Sequence, residues 1–254
     1  MTTAAAARPV LWQLQISHYN EKVRWALDYK RIPHVRRSML PGVHRLIARR
    51  LAGIDTSPVL TIGQDSIGDS SAILQAIEAR WPEPPLVPDE PDERRRALEL
   101  EEYFDEELGP HIRRAVYYEL LPYPDVVVPL FTDGAPGVSR ALLRGGFPVL
   151  RLGMRRLMNI REQPAARSRA KTVEALDTLE KELGTGDYLV GDRFSIADLT
   201  AASLFYPLAL PPEFPYTSPS FDELPDGARE FIGSLRDRRG GRWIAEMYRR
   251  HRLP

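Results

Sequence analysis

The chain has 254 residues, 43% of them hydrophobic, which suits one large or two modest cores. Its 35 basic and 35 acidic residues cancel, so no overall field draws it to nucleic acid or to an anionic membrane. It has no cysteine, which excludes disulfides, thiolate metal sites and cysteine-based catalysis by the protein itself, so any reactive sulfur must belong to a ligand.

The first nine residues, MTTAAAARP, lack the apolar stretch of a secretory signal, and no apolar run approaches the roughly 20 residues of a membrane span; the expected location is the cytoplasm. Residues 10–16 read as a buried central strand, with Val, Leu, Trp and Ile interrupted only by Gln13 and Gln15. Val23, Trp25, Ala26 and Leu27 then shift to a helical period, with Glu21 in the first turn and Lys30 and Arg31 at the end to complement the dipole. A strand over 34–39, a helix over 43–52, a hairpin of 58–62 with 66–67 and a helix over 70–80 complete a βαβαββα order.

Residues 81–91 hold five prolines and read as a stiff linker, dividing the chain into a unit over 1–80 and a helical unit over 92–254. Leu100, Phe104, Leu108 and Ile112 recur every four residues, and Pro110 inside this pattern predicts a kink near Glu106. Residues 125–146 read as irregular. Helices are expected over 149–160 and 165–183, a surface-crossing segment over 207–225, and one or two amphipathic helices through Trp243 and Tyr248. Ser195 and Asp198 have the spacing of a capping box and read as structural.

Ser17 stands at the strand-to-helix junction, where unpaired N–H groups and the positive helix end stabilise an anion. A hydrogen bond to a charged group contributes about 1.5–3 kcal/mol, and the helix terminus about 0.3–1 kcal/mol. Their sum lowers the pKa of a bound thiol by roughly one to three units from its usual value near 8.5. The plain alternative for Ser17 is an N-cap. Pro58, at the start of a strand-like segment, can leave backbone groups free for an extended ligand, which together with Ser17 suggests a site for a thiol-bearing peptide.

The succession SHYNEKVR from Ser17, SPVL from Ser57, GDSSAIL from Gly68 and GDRFSIADLTAAS from Gly191 resembles the glutathione S-transferases, most of all the classes that activate the thiol with serine. The resemblance implies a thioredoxin-like N-terminal domain followed by an all-helical one. It implies a co-substrate, glutathione or a related thiol, with Ser17 as its thiolate donor and no metal. Pro58 matches the family's cis-proline, which turns Val59 so that its backbone can pair with the ligand's cysteine. Asp69 and Ser70 match the pair that receives the γ-glutamyl end, with Gln64 as a further contact. Tyr19 is a rival hydroxyl donor. Arg113, Arg114, Tyr117 and Tyr118, past the expected kink, are candidates to line an electrophile pocket with Tyr19, against the alternative of a solvated arginine face and core tyrosines. Residues 121–161 and 207–225 are expected to shape that pocket. The implied activity is thiol conjugation to an electrophilic small molecule, or thiol-dependent isomerisation, in a detoxifying homodimer without nucleic-acid or membrane partners. The rival is a non-catalytic ligand-binding or protein-interaction module on the same fold.

Overall fold

The computed structural model describes residues 8–135 and 137–252, so the reading of the N-terminal stretch falls mostly on residues 1–7, which lie outside the described residues. Strands and helices alternate as β1 (Val10–Gln13), α1 (His18–Tyr29), β2 (Val35–Ser38), α2 (Val43–Ala52), β3 (Val59–Ile62), β4 (Asp65–Gly68) and α3 (Ser70–Arg80). β1 runs parallel to β2 and antiparallel to β3, and β4 closes a hairpin with β3, giving the sheet order β2-β1-β3-β4. The register sets Leu11 against Leu60, both fully buried. β1 is shorter than the apolar run that encodes it, because the Ser17 N–H donates to the Leu14 carbonyl at 3.1 Å and turns the chain into α1.

The helical part comprises α4 (Pro91–Tyr103), a π-helical turn (Phe104–Leu108), α5 (Gly109–Leu120), α6 (Pro124–Thr132), α7 (Gly137–Leu157), α8 (Glu162–Leu183), α9 (Ile196–Ala209), α10 (Asp226–Arg236) and α11 (Arg239–His251). The chain therefore has a thioredoxin-like sheet-and-helix unit followed by an all-helical one. The π-helical turn occupies the place of the expected kink, with Pro110 in the first turn of α5, where a missing N–H costs least. Among the described residues no helix is long and apolar enough to cross a membrane.

α1 is enclosed on every side, between α3 and α9, and buries Val23, Trp25, Ala26 and Leu27 completely. Burial of Val23 or Leu27 contributes about 1.5–3 kcal/mol each. Glu21, Lys22 and Arg24 are equally inaccessible and persist because all are paired. Arg24 meets Glu21 at 2.7 Å, Arg252 from the far end of the chain meets Glu21 at 2.6 Å, and Lys22 bridges Glu101 and Asp105. Removing one member would strand a buried charge, at about 3–5 kcal/mol. α9 is buried around its whole circumference from Ile196 to Leu208 and is the core of the helical part. Asp198 in its first turn accepts from the Ser195 N–H at 2.8 Å, the Ser195 hydroxyl at 2.7 Å and the Leu189 N–H at 2.8 Å, the expected structural role.

Two sequence expectations are corrected. Residues 125–146 are mostly helical, not irregular: Pro124 stands in the first turn of α6, and α7 begins at Gly137 and absorbs Pro148. A helical proline or glycine costs about 1–3 kcal/mol, and burial of Val127, Val128, Leu130, Phe131, Phe147 and Met154 outweighs it. Residues 207–225 do not simply cross the surface: Pro207 is inside α9 and, with Leu210, Ser218, Pro219 and Leu224, faces an internal cavity.

Candidate functional site

A cavity of about 840 Å³ opens between the two parts of the chain. One wall is the β1–α1 turn with residues 41–45 at the start of α2 and residues 55–57 before β3; the other is built from α5, α6, α7, the end of α9 and the segment after it. Ser17 lines the cavity as the residue before α1, and its hydroxyl makes no capping bond to the helix. The side chain is thus left available to a ligand at the positive end of α1. Asn20 fixes this corner: its Oδ1 accepts from the Leu14 N–H at 3.2 Å, and its Nδ2 donates to the Ser57 hydroxyl at 3.2 Å. The β1–α1 turn is thereby tied to the loop before Pro58.

The Ser57–Pro58 peptide bond is cis. Val59, whose backbone the resemblance offers to the ligand, stands in register with Trp12 on one side and Gly68 on the other. Ser57 is the residue that lines the cavity, whereas Pro58 and Val59 lie behind it.

Tyr19 lines the cavity, but its phenol is committed, donating to the Asp105 carbonyl at 2.9 Å. Burial, and then the Asp105 carboxylate, push its pKa well above the ordinary phenol value, so it stays protonated. Gly109 makes this seat possible, because a Cβ there would stand 2.1 Å from the Tyr19 hydroxyl. His18 is buried and held neutral, first by burial and then by the Arg113 and Lys22 charges. Among the described residues no hydrogen bond joins it to Ser17, so the contact that a Ser–His nucleophile requires is missing.

Asp69 caps α3, accepting from the Ala72 N–H at 3.0 Å, and adopts a left-handed φ of 69°. The Ser70 hydroxyl, buried, donates to Asp105 at 3.4 Å, and Asp105 is also held by Lys22. Burial, followed by the Glu101 and Asp69 charges, raises the Asp105 pKa against the opposing pull of Lys22. Gln64 is exposed in the β3–β4 turn. Gln64, Asp69 and Ser70 do not line the main cavity.

Arg113 and Tyr117 line the cavity, whereas Arg114 and Tyr118 do not. Arg114 turns away, donating to the Met158 carbonyl at 2.9 Å and the Ser168 hydroxyl at 2.8 Å, and Tyr118 packs against the core. Burial raises the Tyr117 phenol to about 12. Tyr206, absent from the sequence candidates, lines the cavity and donates to the Ile16 carbonyl at 2.7 Å. Leu130, Phe131, Leu143, Leu150 and Met154 supply the apolar walls. Among the described residues no group of three or more His, Asp or Glu side chains is placed to hold a metal ion.

Residues 11–85 match the family model for the glutathione S-transferase N-terminal domain, and residues 162–232 match that for the glutathione S-transferase C-terminal domain. No curated protein sequence matches the chain. Solved structures share the fold at low identity. A glutathione S-transferase from Methylobacterium radiotolerans, in complex with glutathione sulfonate, is 23% identical with a TM-score of 0.57, covering 93% of this chain and 93% of its own. A beta-etherase from Sphingobium sp. is 17% identical with a TM-score of 0.62, covering 94% and 99%. A glutathione transferase from Populus trichocarpa is 17% identical with a TM-score of 0.58, covering 94% and 98%. The two matched regions account for more than half of the sequence and flank the cavity that Ser17 enters, and on their joint match the chain belongs to the glutathione S-transferase family.

Proposed function

We propose that the protein is a Ser-type glutathione transferase in which the Ser17 hydroxyl holds a bound thiolate for attack on an electrophilic carbon in the adjoining apolar cavity. The observation that carries this reading is the Ser17 side chain itself: it stands at the N-terminal end of α1, faces the cavity and is not used as a cap. A donor already in place at a helix terminus stabilises the thiolate at the point where charge must be held. Tyr19 is the weaker candidate, because its proton is given to the Asp105 carbonyl. In this reading glutathione lies along residues 55–57, its amino-terminal end toward Asp69 and Ser70, and its sulfur at Ser17. The chain divides at residues 81–91, the sheet-bearing part holding glutathione and the helical part the electrophile.

The relative from Methylobacterium radiotolerans, solved with glutathione sulfonate, supports glutathione as the thiol. A cytoplasmic, detoxifying homodimer completes the proposal. Its test is titration calorimetry with reduced glutathione, followed by the ultraviolet thiolate absorbance of the bound ligand as a function of pH. Binding with a thiol pKa lowered by one unit or more is the expected result. Binding without thiolate formation would leave the ligand-holding module as the better reading.

A further inference from the structure

We propose that Arg113 is a specificity-determining residue for the second substrate, and that this substrate is a bulky apolar molecule carrying a carboxylate. The inference deepens the reading of the cavity as the acceptor site of a glutathione transferase and rests on it.

The cavity presents an uncompensated positive charge. Among the described residues that line it, the one carboxylate is Asp55, and Asp55 is already paired with Arg45 at 2.9 Å and with Arg49. Arg113 forms no ion pair among the described residues, and its Nε is buried without a hydrogen-bond partner. Its guanidinium lies 5.9 Å from the centroid of the Tyr19 ring. Asp105, which also acts on Tyr19, is held by Lys22 at 2.5 Å. His18, the neighbouring base, is neutral.

A guanidinium that opens into a cavity lined also by Val116, Leu120, Leu130 and Phe131, with no ion pair among the described residues although Asp105 and Glu106 act on the same Tyr19 ring, bears a desolvation cost that an incoming anion would relieve. Its planar fork matches a carboxylate with two parallel hydrogen bonds, a geometry that neither an amide nor an ester reproduces. The apolar walls and a volume of about 840 Å³ set the rest of the ligand: a molecule of two or more rings, largely buried, with the acid group anchoring its orientation. Arg113 and Tyr117 are one helical turn apart on α5, so a carboxylate on Arg113 would also lie within reach of the Tyr117 phenol, which stays protonated and able to donate.

The test is calorimetry with biphenyl-4-carboxylate and biphenyl-4-carboxamide, without glutathione, on the native chain and on the variants Arg113→Gln and Arg113→Lys. The carboxylate is expected to bind the native protein roughly 10- to 150-fold tighter than the amide, the range of a hydrogen bond to a charged group. Arg113→Gln should abolish that preference, and Arg113→Lys should retain part of it, since lysine keeps the charge without the fork. Equal binding of acid and amide, binding of neither, or a preference that survives Arg113→Gln would each overturn the proposal. Glutathione is titrated separately. If native protein fails to bind glutathione while the acid preference stands, the transferase reading is lost and Arg113 keeps its ligand. If Arg113→Gln weakens glutathione as much as it weakens the acid, Arg113 belongs to the thiol site and the proposal fails.

Discussion

The Tyr206 hydroxyl donates to the Ile16 carbonyl at 2.7 Å, so a side chain of the central helix α9 grips the backbone one residue before Ser17. The bond crosses from the helical part to the β1–α1 turn and is enclosed, with burial, and then Tyr117, raising the Tyr206 pKa well above the ordinary phenol range. The position of the proposed thiolate donor therefore depends on a contact between two residues 190 positions apart in the sequence.

Tyr206→Phe should uncouple these parts. It leaves the Ile16 carbonyl without its partner while preserving nearly all packing, which costs about 1–3 kcal/mol for a buried group. Urea denaturation is expected to show a lower midpoint with an unchanged slope. Because Asn20 holds the same turn from the other side, glutathione turnover should fall less than tenfold. A variant as stable as the native protein would mean that water replaces the phenol.

Ser17→Ala should separate chemistry from folding. Since the hydroxyl makes no capping bond, stability is expected to change by less than about 1 kcal/mol, the usual effect of losing a cap. Turnover near neutral pH is expected to fall roughly 10- to 100-fold, and the pH–rate profile with an aryl halide to shift toward alkali, as a lost hydrogen bond to a charged group requires. Glutathione affinity should change much less. An unmoved profile would take the thiolate from Ser17.

Asp198 gives a pH signature of folding. Burial lifts its pKa to about 6, against opposing hydrogen bonds from Leu189 and Ser195. A carboxyl whose folded pKa lies above its unfolded value near 3.9 binds its proton more tightly in the native state. Its stability contribution is thus complete below about pH 4 and is lost as pH rises through about 6, by on the order of 2–3 kcal/mol. Asn at this position has no titration. The difference in unfolding free energy between the native chain and Asp198→Asn should therefore shrink from pH 4 to pH 7 in chemical denaturation. A difference that grows instead would show that the three hydrogen bonds outweigh burial.

The sequence carried the order of the sheet-bearing part because each element there keeps its own period, and α2 and α3 occupy the ranges read for them. The helical part was less legible between residues 124 and 157. Pro129, Pro148 and, inside α7, Gly145, Gly146 and Gly153 are local breaking signals, and only the burial of Phe131, Phe147 and Met154 overrules them. At the site, the candidates on α5 divide by helical geometry. Arg113 and Tyr117 are one turn apart and share a face, as do Arg114 and Tyr118, but the two faces differ by about 100°. Sequence alone offers both pairs; the packing of α5 on α8 selects the first for the cavity. Tyr206 carried no local signal, since its partner is supplied only by the tertiary fold.

Gly146 and Gly153 of α7 offer a way to narrow the cavity without disturbing the core. Both line it, seven residues apart and therefore on one face, and a Cβ added to either meets nothing within 4 Å. Glycine inside a helix is about 0.5–1 kcal/mol less favourable than alanine. Gly146→Ala and Gly153→Ala should thus raise the thermal midpoint by a few degrees, an increment that calorimetry resolves. Gly153→Leu projects a larger side chain into the same space, where it takes up volume meant for ligand. Its KM for a two-ring electrophile should rise at least tenfold, while KM for glutathione and for a single-ring aryl halide stays within about twofold, because one lost or obstructed apolar contact is worth about 1–3 kcal/mol. If both electrophiles are affected alike, α7 bears on the whole site and not on the far end of the acceptor. If neither is affected, the ligand does not extend under α7, and the apolar wall built from Leu143, Leu150 and Met154 serves the fold instead.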